Sequence, residues 1–320
     1  MFSRSQRNIK PSIDVVVATY RREKQIRELS ASLLRMLSDR DHLIVINQGE
    51  AELCFEEHPR LRLCTIPFPN LPKARNKGVL TGNGDIVLFL DDDVVPDEKL
   101  LEKHRSAYGD ANVGAVAGFV DDSLFCSDQS APSRFDPFTG ELIQNFSLSR
   151  SQYTISVMGA NMSFSRKALE RSGGFDHNFR RNALWEEVDL SFRIRSLGYR
   201  IWYCSEAKVV HLRENNGGCR NVSGSRYVFD QFANTAYFLC RHSPYGFSRK
   251  LLVFWWYRLE YLSRRPQGVF PRHNPLVVFA GICGWISGIL RYCLNPKRHH
   301  HSIQRTVSEN LLNQEQVSCG

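Results

Sequence analysis

The first 120 residues of the chain alternate between two hydrophobic periods, and this alternation is the strongest constraint on its fold. Short runs rich in valine, isoleucine and leucine, typical of buried strands, are separated by amphipathic stretches with the period of a helix. Parallel strands joined by crossover helices have both faces of their sheet covered, which explains why the strand segments are apolar throughout. The pattern therefore predicts an α/β fold with a mainly parallel sheet flanked by helices. Its predicted strands are Ile13–Thr19, Leu43–Asn47, Leu61–Phe68, Ile86–Asp91 and Val113–Val120, and its predicted helices are Arg22–Leu37, Leu71–Leu80 and Glu98–Tyr108.

Beyond residue 120 the pattern changes. Residues 121–153 are rich in Ser, Asp, Pro and Phe without a clear period, which predicts a functional loop or a partly ordered lid. The last hundred residues are rich in aromatics and predicted to be mostly helical, ending in a polar tail that we expect to be disordered. Between these segments we predict a strand at 159–166, helices at 166–174 and 187–198, and two further strands, RIWYC and KVVHL.

Composition limits the cellular compartment and the class of binding partner that we expect for this protein. The chain carries 42 Lys and Arg against 33 Asp and Glu, a net charge of +9 that suits nucleic acid, anionic lipid or a phosphorylated ligand. No recognisable motif interleaves aromatic and basic residues, so we predict no nucleic-acid partner. Nine cysteines without a C-x-x-C pair argue against a zinc site and a disulfide framework. Because no signal-peptide pattern is recognised either, we predict a cytoplasmic protein.

Three consecutive carboxylates end the fourth predicted strand, in the sequence LFLDDDVVPDEKL. Asp91, Asp92 and Asp93 repel one another and lose hydration beside a buried strand, so a cation is expected among them. Mg²⁺ and Mn²⁺ prefer such oxygen ligands and keep open positions for a diphosphate. Asp93 or Asp97 can instead cap the following helix, but one cap does not account for three carboxylates. The cluster therefore predicts a divalent metal site.

Seven phrases occur in a recognisable order: DVVVATYRR, ARNKG, FLDDDVVPD, GANMSFSR, GGFDHNF, WEEVDLSFRIRSLGYRI and VVHL. Their order resembles that of glycosyltransferase family 2, whose members are inverting enzymes with the GT-A fold, a Rossmann-like sheet flanked by helices. The resemblance covers Ile13–Leu212, about two thirds of the chain. We therefore expect a GT-A catalytic domain at 13–215, after a basic tail at 1–12. A helical region would follow at 216–297, and a tail at 298–320.

The resemblance implies a nucleotide pocket after the first two strands. Ala18, Thr19 and Tyr20 would line it, although most relatives have proline at Ala18. Asn47 stands where relatives have an aspartate that pairs with uracil; an amide can accept from the ring N3–H and donate to a carbonyl, so UDP and dTDP sugars are favoured donors. Arg75 would lie near the diphosphate. From the residues alone, an Asx turn at Asn47 and a surface-helix position for Arg75 stay open.

The resemblance also assigns the acidic cluster. Asp91 and Asp92 would contact the ribose side of the donor, whereas Asp93 would bind the metal cofactor, Mn²⁺ or Mg²⁺. His211 follows the last apolar strand. At this position relatives often have a histidine that reaches the metal or the diphosphate. A structural role for a lone histidine is the alternative.

Catalysis would involve two neighbouring glutamates. The resemblance implies that Glu187 is the base that deprotonates the acceptor hydroxyl, one methylene longer than the usual aspartate, and that Glu186 binds the nucleotide sugar. Acidic residues also favour a helix N-terminus through its dipole, and both roles can hold together. Gly159, Ala160 and Asn161 resemble the stretch beside the donor sugar and the acceptor.

The C-terminal region lies outside the resemblance. LLVFWWYRLEYL and the uncharged run Leu276–Leu290 are flanked by basic residues, a pattern typical of helices at a membrane interface facing anionic headgroups. The run is shorter than the roughly 20 residues of a comfortable membrane span. Helical core packed on the catalytic domain is the alternative. We therefore predict a protein that lies peripherally on the cytoplasmic face of a membrane.

Three functions are compared on this basis. The leading hypothesis is an inverting, metal-dependent transfer of a hexosyl or deoxyhexosyl group from a nucleotide-diphosphate sugar to a glycan or lipid-linked acceptor, in polysaccharide or glycolipid biosynthesis. A non-catalytic nucleotide-sugar sensor or scaffold is the alternative, suggested by the departures at Asn47, Gln48 and Glu187. A nucleotidyltransferase is disfavoured, because no glycine-rich phosphate loop follows the first strand.

Overall fold

A computed structural model of the protein describes residues 10–49, 53–122, 131–138, 140–181, 183–214, 217–218, 225–244 and 275–294. Most of the predicted basic tail at 1–12, the apolar sequence LLVFWWYRLEYL and the predicted tail at 298–320 lie outside these ranges. The division into domains therefore stays a prediction.

The described residues contain the strands β1 (Ile13–Thr19), β2 (His42–Gln48), β3 (Leu61–Ile66), β4 (Ile86–Leu90), β5 (Val94–Pro96), β6 (Val113–Asp121), β7 (Ser133–Asp136), β8 (Glu141–Gln144), β9 (Gln152–Thr154), β10 (Asn161–Ser165) and β11 (Arg200–His211). Nine of them form one sheet in the order β3-β2-β1-β4-β10-β6-β11-β5, with β9 paired to β11. The strands β1 to β4 are parallel, β10 runs antiparallel between β4 and β6, and β11 is parallel to β6. This mixed, mostly parallel sheet confirms the predicted fold class.

Helices cover the sheet and continue beyond it. Those of the first 200 residues are α1 (Glu23–Met36), α2 (Leu71–Thr81), α3 (Leu100–Ser106), α4 (Arg166–Arg171) and α5 (Glu186–Ser196). Two longer ones follow, α6 (Ser225–His242) and α7 (Pro275–Leu294). The buried face of α1 consists of Ile26, Leu29, Ser30 and Leu33, at the spacing that the sequence indicated.

Three local predictions differ from the structure. RIWYC and KVVHL belong to one strand, β11, whose pairing with β6 shifts register between Cys204 and Lys208. The segment predicted as a loop or lid contains the hairpin β7–β8 and the strand β9, and its residues 123–130 lie outside the described ranges. The third predicted helix begins at Leu100 rather than Glu98, because the carboxylate of Asp97 accepts a hydrogen bond from the Lys99 N–H at 2.9 Å and forms a turn first.

A second hydrophobic cluster joins α6 and α7 to the sheet domain. Phe179, Trp185 and Val188 pack with apolar residues of both helices. The approach of the two helices is close: a Cβ added at Gly284 would lie 2.3 Å from the carbonyl oxygen of Phe229, and one at Gly288 would lie 2.2 Å from that of Ala233. Glycine is therefore required at both positions for α7 to pack on α6.

The helix α7 has the length and composition of a candidate membrane span. Its most apolar stretch of 18 residues has a mean hydropathy of 1.7, and 28% of that stretch is buried inside the protein. Leu276, Phe279, Ile286, Leu290 and Leu294 are more than half exposed on its outer side. The helix therefore has one face packed on α6 and one apolar face that is exposed.

Candidate active site

A cleft opens at the carboxyl edge of the sheet, where β1, β2 and β4 end side by side. The register pairs Thr19 with Asn47, so these strand ends are level. Ligands of open α/β sheets bind at such strand ends. The cleft is open to solvent, and with the space at its mouth it measures about 550 Å³. It is lined by Ala18, Tyr20, Arg22, Gln48, Leu71, Asp91, Asp92, Asp93, His211 and Gly218.

The structure brings six of the predicted site residues into this lining: Ala18, Tyr20, Asp91, Asp92, Asp93 and His211. It adds four that were not predicted as site residues: Arg22, Gln48, Leu71 and Gly218. Of these, Gln48 carried a signal, because it follows Asn47 at a strand end. Its Oε1 accepts a hydrogen bond from the Asn70 N–H at 2.9 Å, which joins β2 to the start of α2. Asn47 is buried beside it.

Asp92 is held by Thr19, the last residue of β1, and by Arg22, which follows that strand. The hydroxyl of Thr19 donates to Asp92 Oδ2 at 2.7 Å, and the guanidinium of Arg22 donates to Oδ1 at 2.7 Å. Burial raises the pKa of Asp92 to about 6, and the attraction of Arg22 opposes that shift only in part. Both oxygens of Asp92 therefore have partners within the protein.

Arg22 also ties the acidic cluster to the segment after β11. The guanidinium lies 3.0 Å from Asp93 Oδ2 and donates to the carbonyl oxygen of Glu214 at 2.7 Å. The N–H of Glu214 donates to the same Asp93 oxygen at 3.1 Å. Gly217, with φ of +70°, lies so close that an added Cβ would be 2.7 Å from Arg22 Cγ. Sequence reasoning missed this cation, which offsets part of the repulsion within the cluster.

Asp91, Asp93 and His211 fit a divalent cation. Each offers one ligand atom, and these atoms all lie within 4.8 Å of one another. Arg22 and Glu214 hold one oxygen of Asp93, whereas the other lies 3.3 Å from His211 Nε2. Burial opposes the charge on Asp93, but the hydrogen bond and the charge of His211 outweigh it and lower the pKa of Asp93. Two carboxylates and an imidazole are suitable ligands for a first-row divalent metal.

Arg75 forms the buried centre of a second charged group. Its guanidinium pairs with Glu186 Oε1, lies 3.4 Å from Asp91 Oδ1 and donates to the carbonyl oxygen of Gly159 at 3.2 Å. Glu186 is 1% exposed, and its Oε2 has no hydrogen-bond partner among the described residues. Arg75 therefore connects Asp91 of the cleft to the start of α5, although it does not itself line the cleft.

Glu187 lies in the first turn of α5 and is half-buried. The backbone leading to it is strained, since Arg181, Ala183 and Trp185 all have positive φ, with +77° at Trp185. Trp185 does not line the cleft; its Nε1–H donates to Thr235 Oγ1 at 2.8 Å and its ring stacks on Phe238. The entry into α5 is therefore fixed by α6.

Asp189, one turn into α5, binds α6 directly. It is fully buried and pairs with Arg193, Arg241 and His242 at 2.7–3.0 Å. Burial opposes its ionisation, but these three partners keep the pKa of Asp189 well below the usual range. Arg241 also pairs with Asp176 at 3.0 Å, so α6 holds both the helix that carries Glu187 and the segment before it.

The stretch 159–161 is the turn that leads into β10, and only Asn161 belongs to the sheet. Ala160 and Asn161 are buried, and the amide of Asn161 donates to the carbonyl oxygens of Phe119 and Ala207 at 3.0 and 2.9 Å. A Cβ at Gly118 would lie 2.1 Å from this amide, so glycine is required there. Asn161 thus bridges β6 and the irregular part of β11, and it does not line the cleft.

The chain matches the model of "Glycosyl transferase family 2" over residues 14–173, half of its length. It is 23% identical over 220 residues to the probable glycosyltransferase YdaM of Bacillus subtilis, covering 60% of this chain and 48% of that one. It is 25% identical over 219 residues to the glucosyl-dolichyl phosphate glucuronosyltransferase of Haloferax volcanii, covering 62% and 68%. The alignment thus spans about half the length of the Bacillus relative.

A likeness of fold extends further along the chain. The structure of GalNAc-T7 with UDP, GalNAc and Mn²⁺ superimposes with a TM-score of 0.61 at 10% identity, covering 92% of this chain and 58% of that one. At this identity the likeness concerns the fold alone, and it matches the mixed sheet and flanking helices of GT-A proteins. By its family match and its architecture, the chain belongs to glycosyltransferase family 2 and has the GT-A fold.

Proposed function

We propose that this protein is an inverting, metal-dependent glycosyltransferase. It transfers a hexosyl or deoxyhexosyl group from a nucleotide-diphosphate sugar, with UDP or dTDP as nucleotide, to a hydroxyl of a glycan or lipid-linked acceptor in polysaccharide or glycolipid biosynthesis. The observation that carries the proposal is the convergence of Asp91, Asp93 and His211 at a cleft beside the strand ends, next to the helix that begins with Glu186 and Glu187.

Donor binding is assigned to the nucleotide side of the cleft. Ala18, Thr19, Tyr20 and Asn47 would hold the base and ribose, together with Asp91 and Asp92. Asp91, Asp93 and His211 would hold Mn²⁺ or Mg²⁺, which supplies neutralising charge for the diphosphate. Arg75 keeps Asp91 and Glu186 in place. Gly159, Ala160, Asn161 and Glu186 would lie beside the sugar or support that region.

The chemical step is assigned to Glu187. Its carboxylate would accept the proton of the acceptor hydroxyl as the acceptor oxygen bonds to the anomeric carbon. The bond from that carbon to the diphosphate breaks on the opposite face, so the anomeric configuration inverts and the nucleoside diphosphate leaves. Glu186 is unsuited to this role, because its carboxylate is buried against Arg75.

The membrane is proposed as the surface on which the acceptor is met. The outer face of α7 is apolar, and the sequence around it is basic, with Arg264, Arg265 and Arg272 before the helix and Lys297 and Arg298 after it. The relative from Haloferax volcanii acts, by its name, on a dolichyl phosphate compound. These features support a peripheral position on the cytoplasmic face, with a lipid-linked acceptor.

The experiment is nucleoside diphosphate release from UDP-, dTDP- and GDP-sugars with Mn²⁺ or Mg²⁺, comparing wild type with Asp93→Asn. Glu98→Gln, an exposed carboxylate shortly after the same cluster, is the control and should keep wild-type release. We expect metal-dependent release from one donor, abolished by Asp93→Asn. Tight donor binding without release from any donor and acceptor pair would favour the non-catalytic sensor. No binding of any donor would contradict the nucleotide-sugar assignment altogether.

A further inference from the structure

A carboxylate that the sequence did not single out lies behind the proposed metal ligands. β6 and β11 are parallel and pair Asp121 with Val210, which brings Asp122 beside His211. His211 Nδ1 lies 3.3 Å from Asp122 Oδ2, and His211 Nε2 lies 3.3 Å from Asp93 Oδ1. The side chains of His211 and Asp122 are 4% and 0% exposed. The imidazole is therefore buried between two carboxylates, one at each nitrogen.

Asp122 is itself fixed in place by Arg213. The Arg213 Nε–H donates to Asp122 Oδ1 at 2.5 Å, and a terminal N–H of the same guanidinium donates to Oδ2. Such bidentate pairs fix orientation as well as position. The backbone of Arg213 has φ of +53°, an unfavourable value for a residue other than glycine. The ion pair therefore holds Asp122 against the ring of His211.

We propose that Asp122 is a positioning residue for metal binding: it keeps the proton on Nδ1 and fixes the orientation of His211, so that a cation bound with Asp91 and Asp93 would take the place of the Nε2 proton that faces Asp93. An ionised carboxylate only accepts hydrogen bonds, so the ring nitrogen that faces Asp122 carries the proton. This inference rests on the metal-dependent part of the proposed function. In metal sites, groups that orient a ligating histidine in this way contribute about 10- to 100-fold to metal affinity.

The test is the affinity of the purified full chain for Mn²⁺ alone, measured by electron paramagnetic resonance of the free ion. Asp122→Asn keeps the shape of the side chain but replaces one acceptor oxygen by an NH₂ group. If that group faces Arg213, the anchor of this side chain is weakened; if it faces the Nδ1–H of His211, the contact with the ring is lost. In either case the ring is held less firmly. We expect the Kd for Mn²⁺ to rise about 10- to 100-fold.

Asp121→Asn is the matched control. Asp121 is the neighbouring carboxylate, it is exposed, and the same charge is removed one residue away. The Asp121→Asn variant should bind Mn²⁺ like the wild type. A loss of Mn²⁺ affinity confined to Asp122→Asn therefore excludes a general effect of charge. Melting temperatures of all variants, measured without metal, separate a loss of affinity from a loss of folded protein.

Each outcome decides the inference. Wild-type affinity in a folded Asp122→Asn variant overturns it and leaves the proposed function intact. A wild-type protein that binds no Mn²⁺ overturns both the inference and the metal dependence of the proposed function. Where Asp122→Asn does not fold, Arg213→Met decides instead: it releases Asp122 from its anchor, so weaker Mn²⁺ binding supports the inference and unchanged binding overturns it.

Discussion

At the scale of single residues, two adjacent glutamates of the site differ in their surroundings. Glu186 is buried and neutralised by Arg75, whereas Glu187 is half-buried in the first turn of the same helix. A general base must reach the proton that it accepts and must be ionised to do so. A carboxylate that is paired with a buried guanidinium is poorly placed to reach the proton of the acceptor. Glu186 is therefore a structural partner of Arg75, and the role of base that we propose stays with Glu187.

Glu187→Gln tests this assignment directly. We expect kcat to fall by about 10²- to 10⁴-fold, the usual contribution of a general base, while the Kd for the donor stays unchanged. The measurement combines steady-state transfer with calorimetric titration of the donor. Glu186→Gln is the comparison, and it leaves Arg75 without its closest counter-charge at a cost of about 3–5 kcal/mol in the free energy of unfolding. A folded Glu186→Gln protein that has lost transfer, beside an active Glu187→Gln protein, would reverse the two roles.

At the scale of elements, one buried histidine joins a helix to three strands. His104 of α3 donates through Nε2–H to Asn161 Oδ1 at 2.8 Å and accepts at Nδ1 from the hydroxyl of Ser163 at 2.8 Å. The tautomer follows from Asn161, whose amide NH₂ already donates to the carbonyl oxygens of Phe119 and Ala207. The network thus connects α3, β10, β6 and β11 behind the cleft.

This network makes stability depend on pH. Burial lowers the pKa of His104 to about 4, below its ordinary value of 6.5. Above pH 6.5 the histidine is neutral in both states and its contribution is complete. As the pH falls from 6.5 to 4, the unfolded chain binds the proton first, so the free energy of unfolding decreases by about 3 kcal/mol.

The prediction is checked by denaturant titrations of wild type and His104→Gln between pH 7 and pH 4. The variant cannot titrate at this position, so its free energy of unfolding should fall less, and the difference between the two proteins should narrow by about 3 kcal/mol. His58→Gln, a half-exposed position on another turn, serves as the control and should follow the wild type. A constant difference between wild type and His104→Gln would contradict the role given to His104.

Strands and helices were predictable from the sequence where a single local pattern of residues determines them. Apolar runs such as IVLFL are buried on both faces of the sheet, and the charged residues that follow them mark the edge of the cleft. The two predicted strands RIWYC and KVVHL are one because Asn161, more than 40 residues earlier in the chain, accommodates the irregularity between them. Local periodicity contains no information on such a partner.

The same limit applies to the site. Asp91, Asp92 and Asp93 predicted a cation site because three adjacent carboxylates repel one another. Their position at the end of a strand places them at the cleft. The partners that complete the cluster, Arg22 and Asp122, are brought in by tertiary contacts with segments distant in sequence. Among many charged residues, neither has a local pattern that distinguishes it. The sequence therefore predicted acidic residues that line the cleft, and it missed the groups that hold them.

At the scale of the whole molecule, α6 connects the catalytic region to the outer helix α7. On its inner side α6 holds Asp176 and Asp189 through Arg241. On its outer side it receives the glycines of α7, while Arg291 near the end of α7 reaches the carbonyl oxygen of Asn178. The polar contacts therefore face the sheet domain, and the exposed apolar face of α7 points away from it. This arrangement suits contact with the surface of a bilayer.

Vesicle flotation tests whether α7 meets a bilayer. We expect the wild type to float with vesicles of phosphatidylcholine and phosphatidylglycerol at about 3:1 and less with phosphatidylcholine alone, because the basic C-terminal sequence favours anionic headgroups. Phe279→Ser combined with Ile286→Ser should lose flotation, since each large apolar side chain contributes about 1.5–3 kcal/mol when fully buried. Both residues are more than half exposed, so the double variant should keep its melting temperature.

Phe68→Ser is the matched control for that experiment. Phe68 is 74% exposed, more than Phe279 at 66%, but it lies after β3, outside α7. It should float like the wild type if α7 is the surface that binds lipid. A wild type that stays at the bottom of the gradient would contradict the membrane position. A lipid-free dimer that the double variant abolishes would instead assign the α7 face to a second copy of the chain, because an exposed apolar face can be covered by protein as well as by lipid.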